Sequence, residues 1–354
     1  MADIVGYWGD IAFLLGLVAI YAILALGLNL QWGYGGMFNA GIAGFWAVGA
    51  YVEALFTTGP VAGSIYGYPG HPGYVGAFPT VPLGPLGIFP TAMLVGIVMA
   101  MVASAGLGFL IAIPTLRLRE DYLAIATLGL AQIIVLTIQN LPSLTGGVFG
   151  ISGIARPFEF YQQSNLTDLA FAIFVGIILV LAFFLLQRMS RSPWGRVMRA
   201  VREDEDAATA LGKNTFVLKL QTFVIGSALM GLSGALFASF SRVISVPGAF
   251  TPTITFLIWA MVMVGGSGNH LGVIVGAFAV EFLFWLTPRL QIWFNLSSNL
   301  SDDIFFLQYM AIGLVIILLV VVRPSGLLPE PAKVSRRPRL LRRRAAGEEA
   351  SHDP

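Results

Sequence analysis

Long stretches without Asp, Glu, Lys or Arg constrain this chain more than any other feature. They cover residues 11–52, 54–116, 122–155, 169–187, 220–241, 243–280 and 304–322. A helix that crosses a bilayer needs about 20 predominantly apolar residues. Several stretches fit one such helix, and 11–52 and 243–280 are each long enough for two. Only 11% of the residues are charged, against roughly 25% in soluble domains. The pattern predicts an all-α, polytopic transmembrane helical bundle of about 8–10 spans.

The apolar stretches place nine spans along the chain. These are 11–31, 36–56, 90–115, 121–140, 166–187, 218–240, 254–267, 270–290 and 304–322. Glycine and proline interrupt two regions, 36–56 and 254–290. We expect broken or re-entrant helices there, near a solute path, because freed backbone groups are tolerated in a membrane only inside protein or beside water.

Basic residues indicate which segments face the cytoplasm. Of the 20 Lys and Arg residues, 17 lie at 117–119, within 188–219, or from 323 to the last residue. Positively charged loops stay on the cytoplasmic side. We therefore expect a cytoplasmic C-terminus and, with nine spans, an N-terminus outside. The acidic residues Asp3 and Asp10 predict that no signal peptide is cleaved.

Two further segments, an uncharged loop and a basic tail, lie outside the predicted spans. Residues 57–90 contain 8 Gly and 7 Pro and no charge, which excludes a helix and predicts an extracytoplasmic loop. It serves either as a simple crossover or as a docking surface for an outside partner. Residues 1–328 would form the transmembrane domain. The basic tail 329–354 is predicted to be disordered and attracted to anionic headgroups.

The segment 188–219 alternates charged and small residues between two spans. Acidic residues 203–206 favour a helix start, the alanines that follow continue the helix, and Gly212 can end it. The segment predicts a short cytoplasmic helix with an alanine-rich face. Either a partner packs closely on that face, or the segment is a solvated connector.

Three glycine-rich segments are candidates for a solute path. The first, 33–51, contains Asn39 and Gly41 and serves either helix packing or the path. The second, 140–153, offers polar atoms for a solute or forms a compact turn. The third, 263–272, breaks an apolar run near its centre but lacks the Lys-Ser/Thr ending of a P-loop. The candidate path residues are Asn39, Gly41, Thr145, Gly146, Gly147, Ser152, Gly265, Gly266 and Glu281.

Catalytic and metal-binding patterns do not occur in the sequence. There is no cysteine, and the three histidines have no zinc-like spacing. Two acids fall in apolar stretches, where an ionisable group suggests function. We expect Glu53 near a membrane interface and Glu281 deeper, as a buried carboxylate. No metal or cofactor is expected on this chain.

Several motifs, in order along the chain, resemble the permeases of branched-chain amino-acid ABC importers, the M-type subunit more than the H-type. The motifs are 27–36 (GLNLQWGYGG), 45–51 (FWAVGAY), 116–129 (LRLREDYLAIATLG), 143–147 (SLTGG), 150–154 (GISGI), 191–196 (RSPWGR), 261–272 (MVMVGGSGNHLG) and 323–327 (RPSGL). The resemblance covers residues from about 20 to 328.

The resemblance implies a transport subunit of a bacterial inner membrane rather than an enzyme. It implies a second, related permease, two ATPase subunits that bind ATP and Mg, and an extracytoplasmic binding protein. The segment 202–212 would couple to the ATPases. Its coupling residues would be Arg202, Glu203, Asp204, Glu205, Asp206, Ala207, Ala208 and Gly212.

The solute and the transport class leave alternatives. Many members of this family carry Ser-Leu-Gly-His where this chain has residues 39–42 (NAGI). The same scaffold serves urea and short amides as well as branched-chain amino acids. A stand-alone secondary transporter or channel, or a membrane enzyme, would instead need intramembrane acids, and co-purification of an ATPase separates the importer from both.

Overall fold

The computed structural model describes residues 2–58, 82–83, 89–154, 156–158, 164–293 and 325–330, and between 310 and 323 residues 310, 313–314, 317–318 and 321–323. Helices make up most of this part of the chain. They are α1 (Ala2–Asn29), a π-helical turn (Leu30–Tyr34), α2 (Ile42–Thr57), α3 (Thr91–Thr115), α4 (Glu120–Gln139), α5 (Pro142–Thr145), α6 (Ser164–Arg191), α7 (Pro193–Glu203), α8 (Glu205–Ala210), α9 (Thr215–Ser241), α10 (Val246–Ala249), α11 (Pro252–Gly265) and α12 (His270–Trp293). Strand β1 (Pro82–Leu83) pairs with β2 (Phe89–Pro90), and β3 (Ile151–Ser152) with β4 (Val243–Ile244), both antiparallel.

The predicted all-α transmembrane bundle is confirmed. Within the described residues, seven helical segments are long and apolar enough to cross a membrane: Gly9–Tyr34, Met93–Thr115, Asp121–Gln139, Leu166–Arg191, Thr215–Ser241, Val246–Gly265 and His270–Thr287. Helix α2 is also apolar but has only 16 residues. The ninth predicted span, 304–322, lies mostly outside the described residues, and those it includes are helical. Of the predicted loop 57–90, the structure describes residues 57–58, strand β1 and strand β2.

Helices α1 and α9 form the centre of the bundle. In the most apolar part of α1 and of α9, 72% and 78% of the residues are buried. In the same part of α4 and of α6, the share is only 22% and 28%. Helix α9 packs on α1, α2 and α3, and α1 also packs on α6 and α12. Small residues permit this close approach: a Cβ added to Gly49 would overlap the backbone of Gly231. Such contacts are typical of membrane helices.

Both predicted helix interruptions are present. After the π-helical turn, residues 35–41 are non-helical, so α2 begins at Ile42 rather than at 36. The reason is local, because the Asn39 side chain accepts from the Gly41 amide at 2.7 Å and holds the chain out of a helix. At the second interruption, α11 ends at Gly265, and Gly266 and Gly268 have φ of 107° and 80°. These values favour glycine.

The two ends of the bundle differ in content. At one end, Asp10 near the start of α1 pairs with Arg289 near the end of α12, at 2.6 Å. The opposite end holds the π-helical turn, both interruptions, α7, α8 and residues 325–330. We call this opposite end the basic end, because residues 188–219 lie there.

Candidate coupling site and solute path

Helix α7 is the anchored half of the predicted cytoplasmic segment. Pro193 stands at its first turn, where the missing amide hydrogen costs nothing. Its buried face includes Met198, whose sulfur lies 3.3 Å from the Thr222 hydroxyl of α9. Trp194 donates from its indole nitrogen to the Gln221 amide oxygen at 3.0 Å. These contacts fix α7 against the transmembrane bundle.

Helix α8 follows after a break at Asp204, so the segment forms two short helices rather than one. The Asp204 carboxylate caps α8 by accepting from the Ala207 amide at 2.9 Å. Glu205 and Asp206 occupy the first turn, where negative charge is favourable, whereas Glu203 ends α7. Gly212 has a φ of 76° just after α8, as the prediction of a glycine stop required.

The predicted coupling residues divide between an outward and an inward face. Six are exposed at the tip of the segment: Glu203, Asp204, Glu205, Asp206, Ala207 and Gly212. Ala208 is buried, and only 4% of its surface is exposed. Leu211, absent from the predicted set, is 79% exposed and presents an apolar side chain at the tip. Its position just before the helix-ending glycine was the available sequence signal.

Arg202 turns away from that tip and into the protein. Its guanidinium donates to the Gly33 carbonyl oxygen in the π-helical turn. It also pairs with the Glu330 carboxylate at 2.9 Å, and both side chains are about three-quarters buried. Gly268 lies against the same two charged groups. Arg202 thus joins α7, the first interruption and residues 325–330.

Polar side chains join the two interruptions to each other. The Asn29 amide oxygen accepts from the Gly268 backbone at 2.8 Å, and the Asn29 amide nitrogen lies 3.2 Å from His270 Nδ1. The Tyr34 ring stacks on His270 with centroids 4.6 Å apart. These contacts join the end of α1 and the π-helical turn directly to the start of α12.

Residues 325–330 return to the second interruption. The Leu327 amide donates to the Val264 carbonyl at 2.9 Å, and the Leu328 amide to the Gly265 carbonyl at 3.0 Å. A side chain at Gly266 would meet the Leu328 carbonyl oxygen. Gly265 and Gly266, two predicted path residues, thus accommodate this returning backbone.

Asn39 and Gly41 occupy a buried polar network. Asn39 is fully buried and donates to the Gln31 amide oxygen at 2.7 Å. Gln31 in turn donates to the Phe223 carbonyl of α9 at 2.8 Å. Gly41 lies against the Thr127 backbone of α4. In this conformation both residues support the interruption, and the close approach favours the packing alternative for 33–51.

An aromatic group beside this network was not found from the sequence. The group consists of Trp32, Phe38 and Trp259. The centroid of the Trp259 ring lies 4.3 Å from that of Trp32 and 4.0 Å from that of Phe38. The Trp259 indole nitrogen donates to the Asn39 carbonyl at 3.2 Å. Phe38 is 38% exposed. Trp259 is buried, so the aromatic surface exposed at the edge of the first interruption is formed by Phe38 and part of Trp32.

The structure of the loop 140–153 favours the compact-turn alternative. The Thr145 hydroxyl donates to the Ile138 carbonyl at 2.6 Å and is shielded within the loop. Gly146 and Gly147 have φ of 71° and 62° and shape the turn. Ser152 lies on β3, whose pairing with β4 ties the loop to the end of α9, and it is exposed.

The two intramembrane acids are both buried. Glu281, near the middle of α12, is 4% exposed, as predicted. Glu53 is fully buried in the protein interior, and its position near a membrane interface stays a prediction. It lies 3.5 Å from the Ser239 hydroxyl, against Gly96 of α3. The reason is tertiary, because α3 and α9 enclose the last turns of α2.

Comparison with known proteins identifies the family. A family model described as the permease component of branched-chain amino acid transport systems matches residues 11–323. The chain belongs to this permease family. It is similar to the high-affinity branched-chain amino acid permease LivM of Salmonella typhimurium, with 32% identity over 88% of the chain and 68% of the relative. No solved structure matches.

Two further relatives show how broad the similarity is. A probable LivM permease of Methanocaldococcus jannaschii is 28% identical over 88% of the chain and 91% of the relative. The permease LivH of Salmonella typhimurium is 26% identical over 88% and 92%. This permease is thus similar to both LivM and LivH, the two types named for one transport system.

Proposed function

We propose that this permease is one of two related transmembrane subunits of an ATP-driven importer for branched-chain amino acids. The observation that carries the proposal is the two-faced segment of α7 and α8. Its acidic and apolar tip is exposed to solvent, while Arg202 binds the interruptions within the bundle. A connector without a partner would need no such division.

The proposed mechanism starts at the tip and ends at the interruptions. Partner ATPases that close on ATP pull on α8, and the rigidly packed α7 follows. Arg202 then displaces the π-helical turn through the Gly33 carbonyl and residues 325–330 through Glu330. Because Asn29 couples both interruptions, they move together. The path changes between outward and inward access, as a two-state rearrangement.

The aromatic group supports an amino acid with a large apolar side chain. Phe38 and the partly exposed Trp32, both packed on the buried Trp259, give a surface that such a side chain contacts favourably. Urea and short amides gain little from it. The names of the relatives point to the same solute class. Glu281 and the exposed Ser152 remain proposed parts of the path, whereas Asn39 and Thr145 are held in packing and turn contacts in this conformation.

The remaining components follow from the same proposal. A second permease would complete the path, two ATPases would bind ATP and Mg, and an extracytoplasmic protein would deliver the solute. The membrane would be the bacterial inner membrane, with the basic end and the C-terminus in the cytoplasm.

Uptake in proteoliposomes tests the proposal. The permease is reconstituted with the subunits that co-purify with it, and labelled leucine uptake is measured with ATP and with a non-hydrolysable analogue. We expect uptake only with hydrolysable ATP, with competition by isoleucine and valine but not by urea or acetamide. Uptake without an ATPase, driven by an ion gradient, would instead support a secondary transporter, and competition by urea would support the amide alternative.

A further inference from the structure

A cavity of about 950 Å³ lies at the basic end, beside the second interruption. It is bounded by the last turns of α6, the start of α12 and Leu328. Its charged lining residues are Arg188 and Arg191. Its apolar lining residues include Phe183, Phe184 and Leu271. Charged and apolar walls thus meet in one opening.

The two arginines form a cationic pair without a carboxylate partner in the described part of the chain. They are three residues apart on α6 and so share a face, and both are exposed. Neither takes part in an ion pair among the described residues. With its amide oxygen turned toward Arg191, Gln187 accepts from Nε at 3.1 Å and from Nη2 at 2.8 Å. This contact holds the Arg191 guanidinium in place.

The apolar wall continues onto the membrane-facing surface of the helices. Phe184 is 63% exposed and Leu271 is 51% exposed, and both belong to spans. Asn269, also on the wall, uses its side chain to donate to the Leu328 and Pro329 carbonyls. These two carbonyl oxygens are thereby satisfied, and the charged donors among the described residues that line the cavity are those of the two arginines.

We propose that this cavity binds an anionic phospholipid of the cytoplasmic leaflet. The headgroup phosphate lies between Arg188 and Arg191, because a guanidinium binds phosphate oxygens in pairs. The acyl chains run along Phe184 and Leu271. The cytoplasmic leaflet supplies anionic lipid, and the positive-inside rule places these arginines at that leaflet.

The position of Leu328 gives the lipid a structural consequence. Leu328 lines the cavity, and its backbone hydrogen-bonds to Gly265 and Asn269. Two residues further, Glu330 pairs with Arg202. A bound lipid therefore braces residues 325–330 against the second interruption. This inference does not depend on which solute is carried.

Lipid binding by the full-length permease in detergent tests the proposal. Native mass spectrometry counts bound phosphatidylglycerol and phosphatidylcholine, and thermal unfolding is followed with each lipid or with inorganic phosphate. We expect phosphatidylglycerol to bind and to raise the midpoint more than phosphatidylcholine does. The double variant Arg188→Gln/Arg191→Gln should weaken phosphatidylglycerol binding by about tenfold or more.

Two further variants separate the contributions of charge and wall. The matched control Arg196→Gln/Lys213→Gln removes the same charge from exposed positions outside the cavity and should bind like the wild type. The variant Phe184→Ala/Leu271→Ala keeps the arginines and should also lose affinity.

Three results would overturn the proposal. Equal binding of the two lipids would remove the role of headgroup charge. An equal effect of inorganic phosphate would mean that the site takes the free ion and not a lipid. Loss of ATPase assembly in the arginine variant, with phosphatidylglycerol binding unchanged, would assign the arginines to the ATPase.

Discussion

Helices α7 and α8 are neighbours in the chain, but they are held in opposite ways. Helix α7 buries Met198 and Val201 and sends Arg202 into the protein. Helix α8 buries only Ala208 and leaves its acidic first turn and Leu211 in solvent. The break at Asp204 separates the two. A single segment between two spans can therefore pack on the bundle with one helix and leave the tip of the other exposed to solvent.

Two adjacent alanines of α8 should differ most in how the same substitution changes the stability of the protein. Ala208→Asp buries a carboxylate without a partner, which costs at least about 2 kcal/mol. Ala207→Asp adds the same group at an exposed position and should change stability by less than about 0.5 kcal/mol. Thermal unfolding in detergent checks both. Equal destabilisation by the two variants would mean that α8 does not pack on the bundle.

The next effect concerns the inward contact of Arg202. Arg202→Ala removes a partly buried, charge-assisted pair, an interaction worth about 1.5–3 kcal/mol. We expect ATP hydrolysis to continue while uptake falls, because the pull no longer reaches the interruptions. Glu330→Ala and the double variant complete a cycle. Strictly additive effects on uptake would contradict a working Arg202–Glu330 connection.

A smaller effect is expected at the outward tip. Leu211→Asp should leave unfolding unchanged, because Leu211 is 79% exposed. It should nevertheless weaken association with the ATPase, by about 1–2 kcal/mol for a lost apolar anchor. Co-purification of the ATPase measures this. The matched control is Leu118→Asp, which is 44% exposed between α3 and α4, and a loss of equal size there would show that the tip has no special role.

The smallest effect is expected from the ion pair between α8 and α9. Lys219 pairs with Glu205, but the Glu205 side chain is 45% exposed. Lys219→Ala should therefore cost only about 0.2–1 kcal/mol in unfolding, and raised salt should reduce the difference further. A larger loss that salt does not change would mean that this pair, and not Ala208, holds α8.

Local patterns predicted the parts of the fold that depend on local chemistry. The spans follow from apolar runs, and the two interruptions follow from glycine, as at Gly266. Contacts between segments distant in the sequence could not be predicted from such local patterns. Arg202 meets Gly33 across 169 residues, and no period in the sequence marks the pair. The burial of Glu53 likewise depends on α3 and α9, and the aromatic group draws Trp259 from a different helix.

Site-directed cross-linking can establish whether α8 docks on the ATPase, and this chain has no native cysteine that would compete for the label. The purified variants Leu211→Cys and Ala208→Cys are each labelled with a thiol-linked photocross-linker and are then assembled with the other subunits and reconstituted into membranes. We expect Leu211→Cys to cross-link to the ATPase subunit, to an extent that changes with ATP, whereas Ala208→Cys should label poorly and should not cross-link. If Leu211→Cys gives no ATPase product, or if both positions give the same product, α8 is not the docking tip of this permease.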